Sequence, residues 1–213
     1  MKLYYGADRI VEKPLFNYGN STNDFGLGFY LTPDYEMAKL WASKFPNGGY
    51  VITYDLDLKG LNVAKLDSAS ENDTLKWISV LIRHRFDRDL FNRYKATIEW
   101  LNRTYFFDEL NYDVIIGYRA DDSYFQYSRD FVANELSLEL LTRAMKLGKL
   151  GIQIVLKSKK SFERIRILNF EKIDHSDEYE QFRLETLNEY RSLLKEERID
   201  NTYIRDIMRR SNK

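Results

Sequence analysis

Short apolar stretches alternate along this chain with charged segments of helical spacing. Residues 2–5, Lys-Leu-Tyr-Tyr, read as a strand that ends at Gly6. Residues 7–25 are polar, with Asn17, Gly19, Asn20, Ser21 and Asn23 as turn formers. Phe29 to Leu31 is a second short strand. In Thr32-Pro33-Asp34 the threonine reads as a helix cap and the proline as the first helical position, with Met37, Leu40 and Trp41 then sharing one face. Tyr50 to Leu58 alternates as a strand and stops at Lys59-Gly60.

Asn72 or Asp73 can cap a helix whose apolar residues Leu75, Ile78, Leu81 and Ile82 recur at three and four. A second helix spans about 90–101. Asp113 to Gly117 is a buried-strand candidate followed by a polar turn over 118–122. Residues 136–145 are helical, 152–156 form a β-branched central strand, and 162–170 alternate as another. From Asp174 the chain is charged and helical, with stripes at Leu184, Leu187 and Leu194, then Ile204, Ile207 and Met208. No repeat or low-complexity linker interrupts the pattern. It predicts an α+β fold, with residues 1–173 as one domain and 174–213 as a helical C-terminal extension.

Composition narrows the chemistry. The 213 residues suffice for a substantial core. There is no cysteine, so disulfides and thiolate chemistry are excluded, and a reducing cytosol is the fitting compartment. The first residues lack the apolar core of a signal peptide, and no apolar run approaches the ~20 residues that span a bilayer, so no membrane partner is expected. Lysine plus arginine balance aspartate plus glutamate, 33 against 33, which gives no bulk attraction to nucleic acid or membrane. The two histidines, His84 and His175, lie in charged surroundings and read as solvated surface residues, so no histidine metal site is expected. No phosphate-binding loop, nucleophile elbow or dinucleotide fingerprint is present.

What remains is a cluster of glycines and aromatics. Gly26-Leu27-Gly28 reads plainly as a tight turn, with Phe29 and Trp41 filling the core. A second reading is that Gly28 and its neighbours let the backbone approach a flat ligand, with Tyr30 and Trp41 as faces to stack on it. The pair Asp121-Asp122, beside Arg119, reads either as a cap or turn, or as the lining of a cleft with one carboxylate acting as a base on an acceptor.

Four segments carry a resemblance to a known family. They are "LYYGA" (3–7), "GLGFYLTPDYEMAKLWA" (26–42), "DVIIGYRADDSYF" (113–125) and "LGKLGIQIVLKS" (147–158). The first two resemble the opening motifs of the ADP-ribosyltransferase fold in its diphtheria-toxin and poly(ADP-ribose) polymerase branch. All four in order resemble the bacterial domain-of-unknown-function family 3990, grouped with that fold, over about residues 2–170. The resemblance implies a split mixed β-sheet with inserted helices and NAD as the cofactor. It implies that Gly6 bonds the nicotinamide carboxamide and that Tyr30 and Trp41 flank the ring. Tyr5 stands where the fold usually has a histidine, and Ala7 where a serine is common.

In the third motif a glutamate at the start of a central strand bonds the ribose and stabilises the charge that develops as nicotinamide leaves. Set against that strand, "GIQIVLKS" puts Ile152 at the glutamate position and Gln153 beside it, with Asp122 as a further catalytic candidate and Arg119 and Asp121 in the acceptor cleft. The resemblance implies a toxin of toxin–antitoxin or defence type that modifies a macromolecule with NAD and is held by a small antitoxin. With isoleucine at position 152, the alternatives are an inactive NAD- or partner-binding module and an NAD glycohydrolase.

Overall fold

The computed structural model describes the chain except residues 121, 147–150, 197, 199 and 212–213. Its strands form two sheets. In the first, β1 (Lys2–Ala7), β3 (Gly49–Leu56) and β7 (Ile165–Ile173) run antiparallel with β3 central. In the second the order is β2 (Phe29–Leu31), β6 (Ile152–Leu156), β5 (Val114–Tyr118), β4 (Val63–Leu66). Here β6 is antiparallel to both β2 and β5, while β4 and β5 are parallel. An isolated bridge between Tyr4 and Thr32 ties the two sheets together. The α+β class stands as the pattern predicted, and the strands divide into one antiparallel and one mixed sheet.

Three apolar clusters set the layers. Leu3, Leu31, Ile52, Tyr54, Val114 and Ile154 are buried in a cluster shared by both sheets. A larger one joins the second sheet, through Ile115 and Val155, to α2 (Glu71–His84), α3 (Arg88–Thr104), α4 (Asp122–Val132), α5 (Leu138–Ala144), α7 (Glu178–Leu194) and α8 (Ile204–Ser211). A small third cluster seats α1 (Tyr35–Ser43) on the first sheet through Ala38, Ala42, Val51 and Ile173. The C-terminal helices belong to the larger core, since Tyr190, Leu193, Ile204 and Ile207 are buried within it.

Local chemistry moves several boundaries. The cap of α1 is Asp34, whose carboxylate accepts from the Glu36 and Met37 amides; Thr32 instead accepts from the Asp34 amide. The cap of α2 is Ser70, ahead of the expected Asn72 or Asp73. Strand β4 and helix α4 have no counterpart in the sequence reading. The strand expected over 162–170 starts later and runs on as β7 to Ile173, because a capping box of Ser158 and Ser161 first starts the one-turn α6 (Lys159–Phe162). β7 is an edge strand with a register shift opposite Thr53 and Tyr54.

Candidate functional site

A cleft of about 930 Å³ is bordered by β1, the loop 8–23, the segment 24–31, Trp41 of α1 and Gln153 of β6. Its construction starts at Gly6. A Cβ there would lie 2.1 Å from the Ala38 carbonyl oxygen and 2.9 Å from the Trp41 Cβ. Only glycine lets α1 rest directly on β1, and that contact holds Trp41 at the cleft wall. Gly6 therefore offers the cleft its backbone alone. Beside it the Tyr5 ring packs tilted on Phe29 at 4.8 Å, and burial, then the nearby Asp8 charge, raise its phenol pKa.

The segment 25–28 is held from three sides. The Tyr30 hydroxyl donates to the Gly26 carbonyl at 2.6 Å and accepts from the Phe25 amide at 3.0 Å. Burial, then the Asp24 charge, push the Tyr30 phenol far up, so it stays neutral. The Lys157 ammonium donates to the carbonyls of Phe25 and Leu27. Burial lowers the Lys157 pKa, and the Glu109 charge opposes this. Gly26, at φ +68°, presses on the His84 imidazole, which a Cβ would meet at 2.5 Å. His84 in turn bonds Glu109 at 2.6 Å, and Arg83 pairs with the other carboxylate oxygen at 3.0 Å. His84 is thus a supporting residue beneath the turn, not the solvated surface residue its charged neighbours suggested. Gly28 is also a packing glycine, because a Cβ would lie 2.6 Å from Val155.

The floor is polar. Asp24, 4% exposed, accepts from the Ala120 amide at 2.8 Å and from the Gln153 side-chain amide at 2.9 Å. Its other oxygen faces the Arg85 guanidinium at 2.8 Å, and Arg85 also donates to the Ala120 carbonyl at 2.6 Å. Gln153, 3% exposed, donates additionally to the Tyr118 carbonyl at 3.1 Å. Both amide hydrogens are therefore engaged, and what Gln153 can still give a ligand is an acceptor oxygen.

The structure corrects the expectation for Ile152. Along β6, Ile152, Ile154 and Leu156 face the core shared by the two sheets, while Val155 joins the helical core on the opposite face, the side on which Gln153 meets Asp24. Side chains alternate along a strand, so one residue of register reverses the face. Gln153 lines the cleft, and Ile152 does not.

Tyr5, Gly6, Gly28, Tyr30, Trp41 and Arg119 also line this one cleft. Arg119, expected on an acceptor-facing side, lies over Trp41 with its guanidinium carbon 3.3 Å from the ring centroid. The expected open stacking face of Trp41 is thus covered. Trp41 is 7% exposed, and among the described residues its indole N–H has no acceptor. Asp121 lies outside the described residues, as does the side chain of Asp122, which opens α4. Among the described residues, no three His, Cys, Asp or Glu side chains group as a metal ion would need.

Asp24, Arg85 and Lys157 went unnoticed in the sequence. Arg85 and Lys157 stand at the end of patterned runs and Asp24 at the end of a polar loop, places where a charge reads as solvated. The signal was a charged residue directly abutting apolar segments: Asp24 before Phe25, Arg85 after the α2 helix and Lys157 after Leu156.

Residues 1–167 match the model of a family described as a protein of unknown function, DUF3990. No curated protein and no solved structure matches the chain.

Proposed function

The chain belongs to the DUF3990 family of proteins of unknown function, and from that premise we propose that its cleft binds NAD as the substrate of an ADP-ribosyltransferase acting on a macromolecule. One observation carries the reading. The residues that the resemblance assigns to NAD at Tyr5 and Gly6 and at Gly28 to Trp41 line a single cleft, together with Gln153, the neighbour of the position it assigns to the catalytic glutamate. Its volume of about 930 Å³ lies in the range of ligand pockets. The lining includes Arg9, Lys13, Lys44, Arg85, Arg119 and Arg183 against Asp8, Glu12 and Asp24, a positive excess suited to a diphosphate.

The chain's own groups divide the work. The backbone at Gly6, where contact with α1 leaves no room for a side chain, offers hydrogen bonds to a carboxamide. The Gln153 oxygen accepts from a ribose hydroxyl and so orients the sugar. Asp24 fixes the Gln153 amide and is itself neutralised by Arg85. Gln153 carries no charge, so it stabilises a developing cation less than a carboxylate would; losing one such electrostatic contact costs on the order of 3 kcal/mol. Slow turnover follows. The toxin role and a small antitoxin as partner belong to the same proposal and rest on the resemblance.

That neutral floor also favours a second reading, a module that binds NAD and leaves it intact. Incubating the protein with adenylate-labelled NAD and cell extract separates the possibilities. Label on a macromolecule supports the transferase. Free ADP-ribose supports a glycohydrolase. Calorimetric binding without turnover supports the module, and absence of binding overturns all three.

A further inference from the structure

The charges lining the cleft are segregated. Along its loop side, Arg9 and Lys13 are matched by Asp8 and Glu12, and on the floor Arg85 is matched by Asp24. The lining charges left over, Lys44, Arg119 and Arg183, are all positive. They stand together. Arg119 lies on Trp41, and Lys44 caps α1 one turn after Trp41. The Lys44 ammonium is 5.1 Å from the centroid of the Tyr179 ring, and Arg183 stands one turn along α7 from Tyr179. One acid competes there: Glu180, on the same helix, meets Arg183 at 3.3 Å. Both side chains reach solvent, Arg183 at 40% and Glu180 at 60% exposure, so this pair is weak and exchangeable.

This basic end also has a separate origin. The family match stops at residue 167, and Tyr179 and Arg183 come from α7 beyond it. Groups that a chain adds outside the shared stretch suit its own target. Adjacent cations on a chain of zero net charge fit a partner with regularly repeated negative charge, the phosphates of a nucleic acid. We infer that the α1–α7 end of the cleft holds the phosphate backbone of a single-stranded nucleic acid, and that this strand is the acceptor presented to the cleft. A duplex keeps its bases stacked and out of reach, whereas a single strand can lead one nucleotide inward. In the transfer, the bond from the ribose carbon to nicotinamide breaks and its electron pair leaves with nicotinamide. A bond to an oxygen or nitrogen of the strand forms, and the proton of that atom passes to solvent. The acceptor role rests on the transferase reading, but the strand-binding surface is testable without NAD.

The test measures binding of a fluorescent oligonucleotide of about 16 nucleotides, in DNA and RNA form, to the full chain across a range of salt concentrations. Melting temperature is the check on folding. Arg183→Gln is expected to weaken binding roughly two- to fivefold at low salt, the span of one exposed charge contact, and to lower the slope of log K against log salt by about 0.7. Glu180→Gln removes the competing acid and is expected to tighten binding by a similar factor. Arg183→Lys keeps the charge and should bind as the unmodified protein does. Arg166→Gln, on β7 and outside the cleft lining, should leave the slope unchanged.

Unchanged affinity in both Arg183→Gln and Glu180→Gln overturns the inference. So does an equal loss with Arg166→Gln, which marks a general charge effect, or tighter binding of a poly-glutamate peptide of equal charge, which marks an acidic protein as the partner. A shift of NAD affinity in place of strand affinity also overturns it, because the basic end then holds the diphosphate of NAD. Strand binding with the expected responses and no binding of NAD leaves the surface standing and removes the NAD reading. NAD binding with no strand binding does the reverse.

Discussion

At the scale of single residues, the contact between Gln153 and Asp24 decides what a carboxylate on the floor would do. Gln153→Glu replaces an amide donor 2.9 Å from the Asp24 oxygen with a second acid. Two carboxylates at that separation cannot both ionise freely, so the pKa of one rises on folding. A carboxylate with a raised folded pKa destabilises the protein above its unfolded pKa, and the cost disappears as the pH falls below it. Gln153→Glu should therefore lose on the order of 2 kcal/mol at neutral pH and recover most of it near pH 4, as urea unfolding at the two pH values will show. Ile152→Glu should also destabilise, at both pH values, because it presents a polar group to the core shared by the sheets, and it should bring no gain in NAD turnover. The floor was half legible beforehand. The strand around Gln153 was visible as an apolar, β-branched run, but that run gives no alternation from which to choose a face. The hydrogen bond to Asp24, far away in sequence, is what makes the choice.

At the scale of elements, the turn over 25–28 owes its shape to the end of α2. His84 and Arg83 both bind Glu109, and burial opposes ionisation of that carboxyl while the His84 hydrogen bond and the Arg83 charge more than compensate. Its pKa is held below the ordinary 4.5. A depressed carboxylate contributes stability that is present above its unfolded pKa and lost as the pH falls through its folded value. The protein should thus lose stability as the pH drops below 4.5, and Glu109→Gln should flatten that part of the profile. At neutral pH the same substitution should cost about 2 kcal/mol, less than a fully buried pair because the partners keep some solvent contact. Thermal melts across pH will read both effects. Elements with one apolar face, such as α2, α3 and β3, were legible from periodicity. β4 is only four residues long, and α4 is rich in tyrosine and serine, so neither produced a pattern. In α7 the expected stripe at Leu184 is exposed, and the buried positions are Thr186, Tyr190 and Leu193. Tyrosine and threonine look polar in a sequence, yet the Tyr190 ring packs tilted on Tyr127 at 3.8 Å and its hydroxyl donates to Asp130 at 2.5 Å.

For the whole molecule, the family match ends at residue 167, but the core does not. Removing residues 174–213 takes Tyr190, Leu193, Ile204 and Ile207 out of the larger cluster. At roughly 1.5–3 kcal/mol for each buried side chain, the loss is comparable to the total stability of an ordinary domain. The truncated chain should show no cooperative melting transition, where the full chain shows one. The extension is accordingly a structural part of the fold.

The sheet order has a consequence for how the protein is made. β3 lies between β1 and β7, so its partner on one side precedes it and its partner on the other ends only at Ile173. A ribosome adding about 5–20 residues per second needs on the order of ten seconds to travel from Leu56 to Ile173. Throughout that interval one side of β3 waits without its strand, and Arg119 and Gln153 are delivered only part-way through it. The cleft is therefore assembled late in translation, and a nascent chain lacks its floor until Gln153 has been made.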